Sequence, residues 1–455
     1  MNWCQFAACC KLAYPQNGFT VFLVISFILL LFSTLKGYFI AYPLLVSLAI
    51  FIVFLLRKGF TLNNLIAMAI AGSKKSFSII SILLLIGAVM SVWMAAGTVP
   101  MLVYWGIKLI NPHYFILSAF ILTSLISLII GTSFATASTI GLALIVAASG
   151  SGVNPNIIGG AIIAGAYFGD RCSPMSSGAN LIAGITRTEL YTNFKNMAVT
   201  AFYPLIISTI LYLILSFANP VELANNTLAF EIDLAFNLNW ITLLPALTIF
   251  LFCLLRIEVK IAMAASVIVA SAIAIFVQGH SPIELLDFAI TGFKLDSNSS
   301  LKDILAGGGI LSMARSATVI IISTAFAGIF AGTKTLNFIE KYVSKARSSG
   351  DLFLGTTTIS ILSAAFGCTQ TIAILLTHQL VERKYIKEGL EGDRLAIDLE
   401  NTAVVLAPLI PWNIAGLVPA TILHIDAGYI PYAFYLYLIP ILNLIQMKLV
   451  KRYKY

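Results

Sequence analysis

Apolar runs long enough to cross a lipid bilayer recur along this chain. About 20 consecutive apolar residues span the hydrocarbon core as a helix, and the early runs are close to that length: 19–35, 38–56, 77–96 and 114–130. Only 10% of the residues are charged, whereas a soluble domain carries about 25% because its surface faces water. The sequence therefore predicts a protein that spans the membrane several times.

Later runs extend the same pattern and set the fold class. They lie at 197–215, 240–255, 261–277, 317–330, 352–366 and 430–447, with less uniform segments at 138–170 and 398–423. The alternation of apolar and polar residues that marks membrane barrel strands is missing from the sequence. The first run is followed by no small-residue cleavage site, so we expect a retained helix. We predict an all-α polytopic membrane protein with roughly 11–13 transmembrane helices.

The ionisable and sulfur-containing residues exclude several other classes of protein. The net charge is +8, but basic residues such as Arg57, Lys74, Lys384 and Lys448 lie between apolar runs, where they fix topology and meet anionic headgroups. We therefore expect the lipid bilayer as a partner and no nucleic acid, with the membrane orientation left open. The six cysteines and four histidines lack metal-ligand spacing, so neither a metal site nor a disulfide framework is predicted.

A polar stretch at 219–239 divides the chain into two halves that resemble each other. In the first half, the segment 131–133 (GTS) ends an apolar run, and Asn180 follows Gly131 by 49 positions. In the second half, 367–369 (GCT) ends an apolar run, and Asn413 follows Gly367 by 46 positions. Duplicated halves with interrupted helices are the architecture of many secondary transporters, so we predict two inverted repeats with broken helices. The predicted organisation is N-terminal transmembrane helices (1–76), a first transporter repeat (77–218), connecting helices and loops (219–308), and a second transporter repeat with a C-terminal helix (309–455).

The first break, at 131–139, contains one glycine and five hydroxyl residues within nine positions. Such residues let helix backbones approach closely in membranes. They also supply hydroxyl and carbonyl oxygens to a dehydrated cation where a helix unwinds inside the protein. The sequence leaves both interpretations open, and Thr132, Ser133 and Thr136 are the candidate ligands.

The second break carries charge, because Asp170 and Arg171 follow a helix rich in small residues. A charge inside the membrane is costly, so a transport site is the favoured interpretation and a solvated ion pair at the membrane edge is the alternative. Helical spacing would place Asp170, Ser173, Ser177 and Asn180 on one face. Pro174 would free a backbone carbonyl near them.

In the second half, Asp398 and Glu400 open a segment that Pro408 and Pro411 break beside Asn413. Asp398 suits the N-cap of a helix, where the helix dipole favours an anion. Glu400 lies deeper and is the better candidate for a proton carrier. The break at 367–371 mirrors the first one and offers neutral oxygens.

These motifs resemble those of the NhaC-type sodium/proton antiporter family, in the same order and over roughly residues 75–420. The matching segments are 93–100 (WMAAGTVP), 131–133 (GTS), 165–170 (GAYFGD), 173–174 (SP), 180–181 (NL), 367–371 (GCTQT) and 408–413 (PLIPWN). The resemblance implies Na⁺/H⁺ exchange, or in some members exchange of organic acids or ion-coupled uptake of amino acids.

Two positions depart from the family pattern. Where the family generally has Leu-Ser-Asp-Thr-Thr-Asn after Ser-Pro, this chain has Ser177 in place of the aspartate. Where the family tends to have Leu-Glu-Asp-Ser-Gly, this chain has Asn401 in place of the aspartate. Fewer carboxylates weaken the attraction for Na⁺ and make a zwitterionic or anionic organic substrate more credible than in a typical member. Arg171 or the N-termini of half-helices would then receive the carboxylate group.

The sequence therefore predicts a secondary active transporter, a Na⁺/H⁺ antiporter working by alternating access, with an ion-coupled carrier or exchanger of a small organic acid or amino acid as the alternative. Asp170 and Glu400 are expected to couple proton and ion movement. Cation or substrate binding is expected from Thr132, Ser133, Thr136, Ser173, Ser176, Ser177, Asn180, Thr369, Gln370, Asn401, Thr402 and Asn413.

The remaining expectations concern chemistry, partners and location. No enzymatic motif is recognisable, so we expect no catalysis and no cofactor beyond the transported Na⁺ and H⁺. The expected partners are the bilayer, a small cation and a small organic solute, with a homodimer left open. The expected location is the cell inner (plasma) membrane.

Overall fold

The structure is a computed structural model that describes most of the chain. The described residues are 16–36, 38–109, 111–148, 152–173, 175–220, 225–255, 257–295, 307–333, 343, 346, 348–390 and 392–449. Pro174 and the cysteines at 4, 9 and 10, which entered the sequence predictions, lie outside these residues.

The chain divides into two compact units, Met1–Ala67 and Met68–Tyr455. The first contains α1 (Gln16–Leu35), α2 (Ala41–Arg57) and the start of α3 (Leu62–Ala95). The helices of the second after α3 are α4 (Thr98–Leu109), α5 (Phe115–Ile130), α6 (Ser133–Ala147), α7 (Pro155–Cys172), α8 (Ser177–Thr186), α9 (Leu190–Ala218), α10 (Asn225–Ala235), α11 (Leu244–Leu254), α12 (Val259–Phe276), α13 (Pro282–Thr291), α14 (Ala314–Thr333), α15 (Ser349–Gly367), α16 (Gln370–Lys387), α17 (Gly392–Leu399), α18 (Ile414–Ile422) and α19 (Phe434–Leu449).

The predicted fold class is confirmed, because the described part of the chain is helical and apolar and contains no β-strand. Four helical segments within it are long and apolar enough to cross a membrane: Leu62–Ala95, Pro112–Ile130, Leu190–Ala218 and Ile310–Thr333. A bent pair, Gly392–Leu409 with Ile414–Ile422, would be a fifth span, and shorter apolar helices accompany these. The count of 11–13 helices and the inverted orientation of the repeats stay predictions.

Close packing of α5 against α7 fixes the position of the second break. A Cβ atom built on Gly165 would lie 2.1 Å from the Thr123 hydroxyl oxygen, and one built on Gly169 would lie 2.2 Å from the Ser127 carbonyl carbon. The Ser127 hydroxyl also donates to the Ala166 carbonyl across this contact. Only glycine allows backbones this close, so the small residues of α7 hold its C-terminal end firmly against α5.

The two halves break their helices in the same way. Helix α5 ends at Gly131 in the left-handed region (φ 76°), and α15 ends at Cys368 in the same region (φ 54°). The next residue in each half, Thr132 and Thr369, is extended and starts the following helix. The breaks that the sequence predicted at these two places are therefore present.

A second break in each half lies against the first. A Cβ atom on Gly131 would approach the Cβ of Met175 at 2.7 Å, so the segment between α7 and α8 lies on the first break. In the second half, the Ile414 N–H donates to the Cys368 carbonyl (2.9 Å), which joins the start of α18 to the end of α15. The bend between the segments before and after this break is 52°.

Candidate functional site

Asp170 is the centre of a buried cluster of hydroxyl groups. It lies in the last turn of α7 and is 6% exposed. The Ser133 hydroxyl donates to its Oδ2 atom and the Ser176 hydroxyl donates to its Oδ1 atom, each at 3.2 Å. Both predicted breaks of the first half thus supply one hydrogen bond to the same carboxyl group.

Helix termini position these two hydroxyls. Ser133 is the first residue of α6, directly after the extended residue Thr132. Ser176 is the N-cap of α8, and its hydroxyl oxygen accepts from the N–H groups of Gly178 (3.1 Å) and Ala179 (3.3 Å). The carboxyl group is therefore linked through Ser176 to the positive end of a helix dipole. Thr132 directly precedes Ser133, and its buried hydroxyl has no hydrogen-bond partner.

The second half contributes Gln370 and Glu400. The Gln370 side chain faces the Asp170 carboxyl, and its Nε2 donates to the Val404 carbonyl (3.3 Å). Glu400 begins a π-helical turn, Glu400–Val404, that continues α17; such turns are frequent at functional sites. Its carboxyl group is fully buried, and neither oxygen has a hydrogen-bond partner.

Arg171 joins the two halves next to these acids. It is fully buried, and its Nη2 donates to the Asn401 side-chain oxygen (2.5 Å) and to the Thr200 hydroxyl (2.8 Å). Its Nη1 donates to the Met197 carbonyl (3.2 Å), and the Cys172 sulfur and Tyr435 hydroxyl lie near the same nitrogen. Among the described residues Arg171 forms no ion pair, although Glu400 lies close enough for the two charges to interact.

Several predicted ligands form hydrogen bonds to backbone groups through their side-chain polar atoms. The Thr136 hydroxyl donates to the Thr132 carbonyl, the Thr402 hydroxyl to the Asp398 carbonyl, and the Asn413 amide to the Ala364 carbonyl. Ser173, Thr369 and Asn413 accept from backbone N–H groups of Met175, Ile372 and Ala415. These five residues shape the breaks, and their role as ligands stays a prediction.

The structure corrects three details of the sequence interpretation. Asp170, Ser173, Ser177 and Asn180 do not share one helical face, because α7 ends at Cys172 and a new helix begins at Ser177. Ser177 and Asn180 are consequently exposed, while Ser176 contacts Asp170. The alternative interpretation, a solvated ion pair at the membrane edge, is wrong because Asp170 and Arg171 are both buried.

The third correction concerns Asp398, which lies near the end of α17 and not at a helix N-cap. Its Oδ2 accepts from the Tyr385 hydroxyl (2.7 Å) and pairs with Arg394 Nε (3.0 Å). This buried acid is therefore paired with its own cation.

Sequence reasoning missed the residues that connect distant helices. The Tyr167 hydroxyl donates to the Ala415 carbonyl (2.6 Å) and ties α7 to the first turn of α18. Thr200 of α9 and Tyr435 of α19 hold Arg171. Tyr167 lies inside the segment 165–170 that carried the family resemblance, so a signal for it existed. Nothing in the local sequence marks Thr200 or Tyr435.

The site and fold together define a class of protein. Two buried carboxyl groups, unused oxygens and interrupted helices from both halves meet inside a multi-pass membrane protein, which is the arrangement of a secondary transporter. The sequence model described as the Na⁺/H⁺ antiporter family matches residues 165–447. The chain belongs to this Na⁺/H⁺ antiporter family, whose members are secondary antiporters.

Curated relatives cover most of the chain. It is 30% identical to the Na⁺/H⁺ antiporter NhaC of Alkalihalophilus pseudofirmus over 89% of this chain and 88% of the relative. It is 27% identical to the malate-2H⁺/Na⁺-lactate antiporter of Bacillus subtilis over 83% of this chain and 82% of that protein. It is 28% identical to the arginine/ornithine antiporter ArcD of Halobacterium salinarum over 80% of this chain and 77% of that protein. The family resemblance predicted from the motifs is confirmed.

Proposed function

We propose that this protein exchanges Na⁺ for H⁺ by alternating access, with Asp170 and Glu400 as the coupling carboxyl groups. The observation that carries the proposal is the contrast between these two buried acids. Asp170 is surrounded by hydroxyl groups, whereas both oxygens of Glu400 lack a hydrogen-bond partner.

Asp170 suits a dehydrated cation. Ser133 and Ser176 already direct oxygen atoms at its carboxyl group, and the Thr132 hydroxyl is unused. Interrupted helices supply Na⁺ ligands of this kind near the middle of the membrane. In the proposed mechanism Ser133 and Ser176 keep donating to the ionised carboxyl group, while lone pairs of the Ser133 and Thr132 oxygens coordinate Na⁺ beside it.

Glu400 suits a proton. An ionised carboxylate without hydrogen bonds is expensive to bury, so its negative charge has to be matched by a neighbouring cation or removed by protonation. When Na⁺ occupies the cluster around Asp170, the nearby positive charge favours loss of a proton. Na⁺ and H⁺ therefore compete for the same pair of acids, which is the basis of exchange.

The organic-substrate alternative is supported by two of the relatives, a malate/lactate antiporter and an arginine/ornithine antiporter. In this alternative the substrate carboxylate is received by Arg171 or by the N-termini of half-helices. Both terminal nitrogens of Arg171 already donate to protein acceptors, and only Nε lacks a partner. A bidentate carboxylate contact would have to break these bonds, so the geometry favours Na⁺/H⁺ exchange over a carrier that uses Arg171 as its carboxylate site.

We also propose that the protein works in the plasma membrane without a cofactor and without catalysing a reaction. The basic segments between apolar runs, which suit anionic headgroups, support the location. The relatives are antiporters, which supports a transport role.

The test is Na⁺-driven proton movement in proteoliposomes. Wild type, Asp170→Asn and Glu400→Gln are compared, with Asp287→Asn as the control because that acid is exposed on α13. We expect dissipation of a pH gradient on addition of Na⁺ or Li⁺ in the wild type and control, and loss in the two site variants. Wild-type rates in Asp170→Asn would remove that residue from the mechanism. Thermal stabilisation of the purified protein by malate, lactate or arginine, but not by Na⁺, would favour the organic carrier.

A further inference from the structure

The buried charges of the described residues can be counted. The buried acidic and basic side chains are Asp170, Arg171, His378, Asp398 and Glu400. Asp398 is paired with Arg394, and His378 lies against Glu382. The ion site therefore retains two acids, Asp170 and Glu400, and one base, Arg171.

Arg171 is a fixed charge held by neutral groups. Its hydrogen-bond acceptors are the Met197 carbonyl, the Thr200 and Tyr435 hydroxyls, the Asn401 amide oxygen and the Cys172 sulfur. A guanidinium group stays protonated in proteins, so this positive charge does not change during a transport cycle. Because it is not bound to either carboxylate, its charge acts on the site as a whole.

We propose that Arg171 is the built-in counter-charge of the ion site and that it makes the loaded site electrically neutral. With both acids ionised, the site carries two negative charges and one positive charge. A single monovalent cation, whether Na⁺ or H⁺, completes the balance. Carrying an unbalanced charge through a low-dielectric region is costly. The neutral site with one bound cation is therefore the form that switches from facing one side of the membrane to facing the other, a step called the access change below.

The consequence concerns the membrane potential, and it rests on the proposed Na⁺/H⁺ exchange. If the site is neutral with Na⁺ and neutral with H⁺, neither access change moves charge across the membrane. One Na⁺ is exchanged for one H⁺, and the rate does not respond to the potential. Loss of the Arg171 charge would leave each loaded site with one negative charge. Every access change would then move that charge through the electric field of the membrane potential.

The experiment measures Na⁺-driven proton flux in proteoliposomes whose potential is clamped with K⁺ and valinomycin. For wild type and Arg171→Lys, which keeps the charge, we expect the same initial rate at zero, inside-negative and inside-positive potentials. For Arg171→Gln we expect the rate to fall at either sign of the potential, because one of the two access changes is slowed. A unit charge crossing half of the field slows a step about sevenfold at about 100 mV.

A second pair of variants covers the case in which Arg171→Gln does not fold. Asn401→Asp adds a negative charge at the atom that contacts Arg171, and Asn401→Ser is the neutral control. The aspartate variant should acquire the voltage dependence and the serine variant should not. Voltage-dependent exchange in wild type, or voltage-independent exchange in both Arg171→Gln and Asn401→Asp, would overturn the inference. Absence of exchange in the wild type at zero potential would instead refute the proposed function, and the inference with it.

Discussion

Replacing Ser133 by alanine removes the hydrogen bond to Oδ2 of Asp170, and replacing Ser176 by alanine removes the hydrogen bond to Oδ1. The two variants differ in one respect, because the Ser176 hydroxyl also caps α8. Ser138→Ala is a matched control, since that buried hydroxyl lies in the same helix as Ser133 and donates to the Ala135 carbonyl.

The expected magnitude follows from these contacts. A hydrogen bond to a charged group contributes about 1.5–3 kcal/mol, and each 1.4 kcal/mol changes an equilibrium constant about tenfold. Both hydroxyls stabilise the ionised carboxyl group, which is the form that binds Na⁺. The Na⁺ concentration for half-maximal exchange should therefore rise about tenfold or more in Ser133→Ala and in Ser176→Ala. The lost cap should cost Ser176→Ala about 1 kcal/mol of additional stability.

Two measurements separate these effects. Half-maximal Na⁺ is read from proton flux at fixed pH, and stability is read from thermal unfolding of the purified protein in detergent. We expect Ser133→Ala and Ser176→Ala to agree in Na⁺ dependence, Ser176→Ala to unfold earlier, and Ser138→Ala to match the wild type in Na⁺ dependence. An unchanged Na⁺ dependence in both site variants would refute the assignment of Asp170 as the cation site.

Three further predictions test the surroundings of the site. Tyr385→Phe removes the hydroxyl that donates to Asp398 and should lower the free energy of unfolding by about 1–3 kcal/mol, with half-maximal Na⁺ unchanged in the flux assay. Gly131→Ala should lower the thermal unfolding midpoint and the exchange rate, because Gly131 has a φ of 76° and no room for a Cβ. Gly184→Ala is the control, since a Cβ atom added there would meet no other atom within 4 Å. Ser177→Asp should lower half-maximal Na⁺ at low ionic strength, an effect that added salt screens.

The positions of the helix breaks could be predicted from sequence because their causes are local. Glycine followed by hydroxyl residues in an apolar run, as at Gly131, has few explanations other than a helix terminus or a close contact. The burial of Asp170 followed from the same reasoning, since the small residues of α7 indicate tight packing on both sides. Its two hydroxyl partners came from the two segments that the sequence had singled out.

The hydrogen-bond partners of Arg171 could not be predicted. Thr200 and Tyr435 belong to helices far away along the chain, and no spacing rule connects them to α7. The prediction that Ser177 shares a helical face with Asp170 was wrong for a different reason. Helical spacing was applied across a segment where one helix ends at Cys172 and a new helix begins at Ser177, so the spacing does not hold across it.

The two departures from the family pattern have different consequences, although they occupy corresponding places in the sequence. Ser177 is exposed at the first turn of α8, so an aspartate there would attract cations towards the site with little desolvation. Asn401 is fully buried and accepts from Arg171, so an aspartate there would bind the guanidinium and cancel its charge. Loss of the first carboxylate weakens the approach of Na⁺, whereas loss of the second releases Arg171 to balance Asp170 and Glu400. Substitutions at these two positions should therefore separate cation affinity from the charge moved in each cycle.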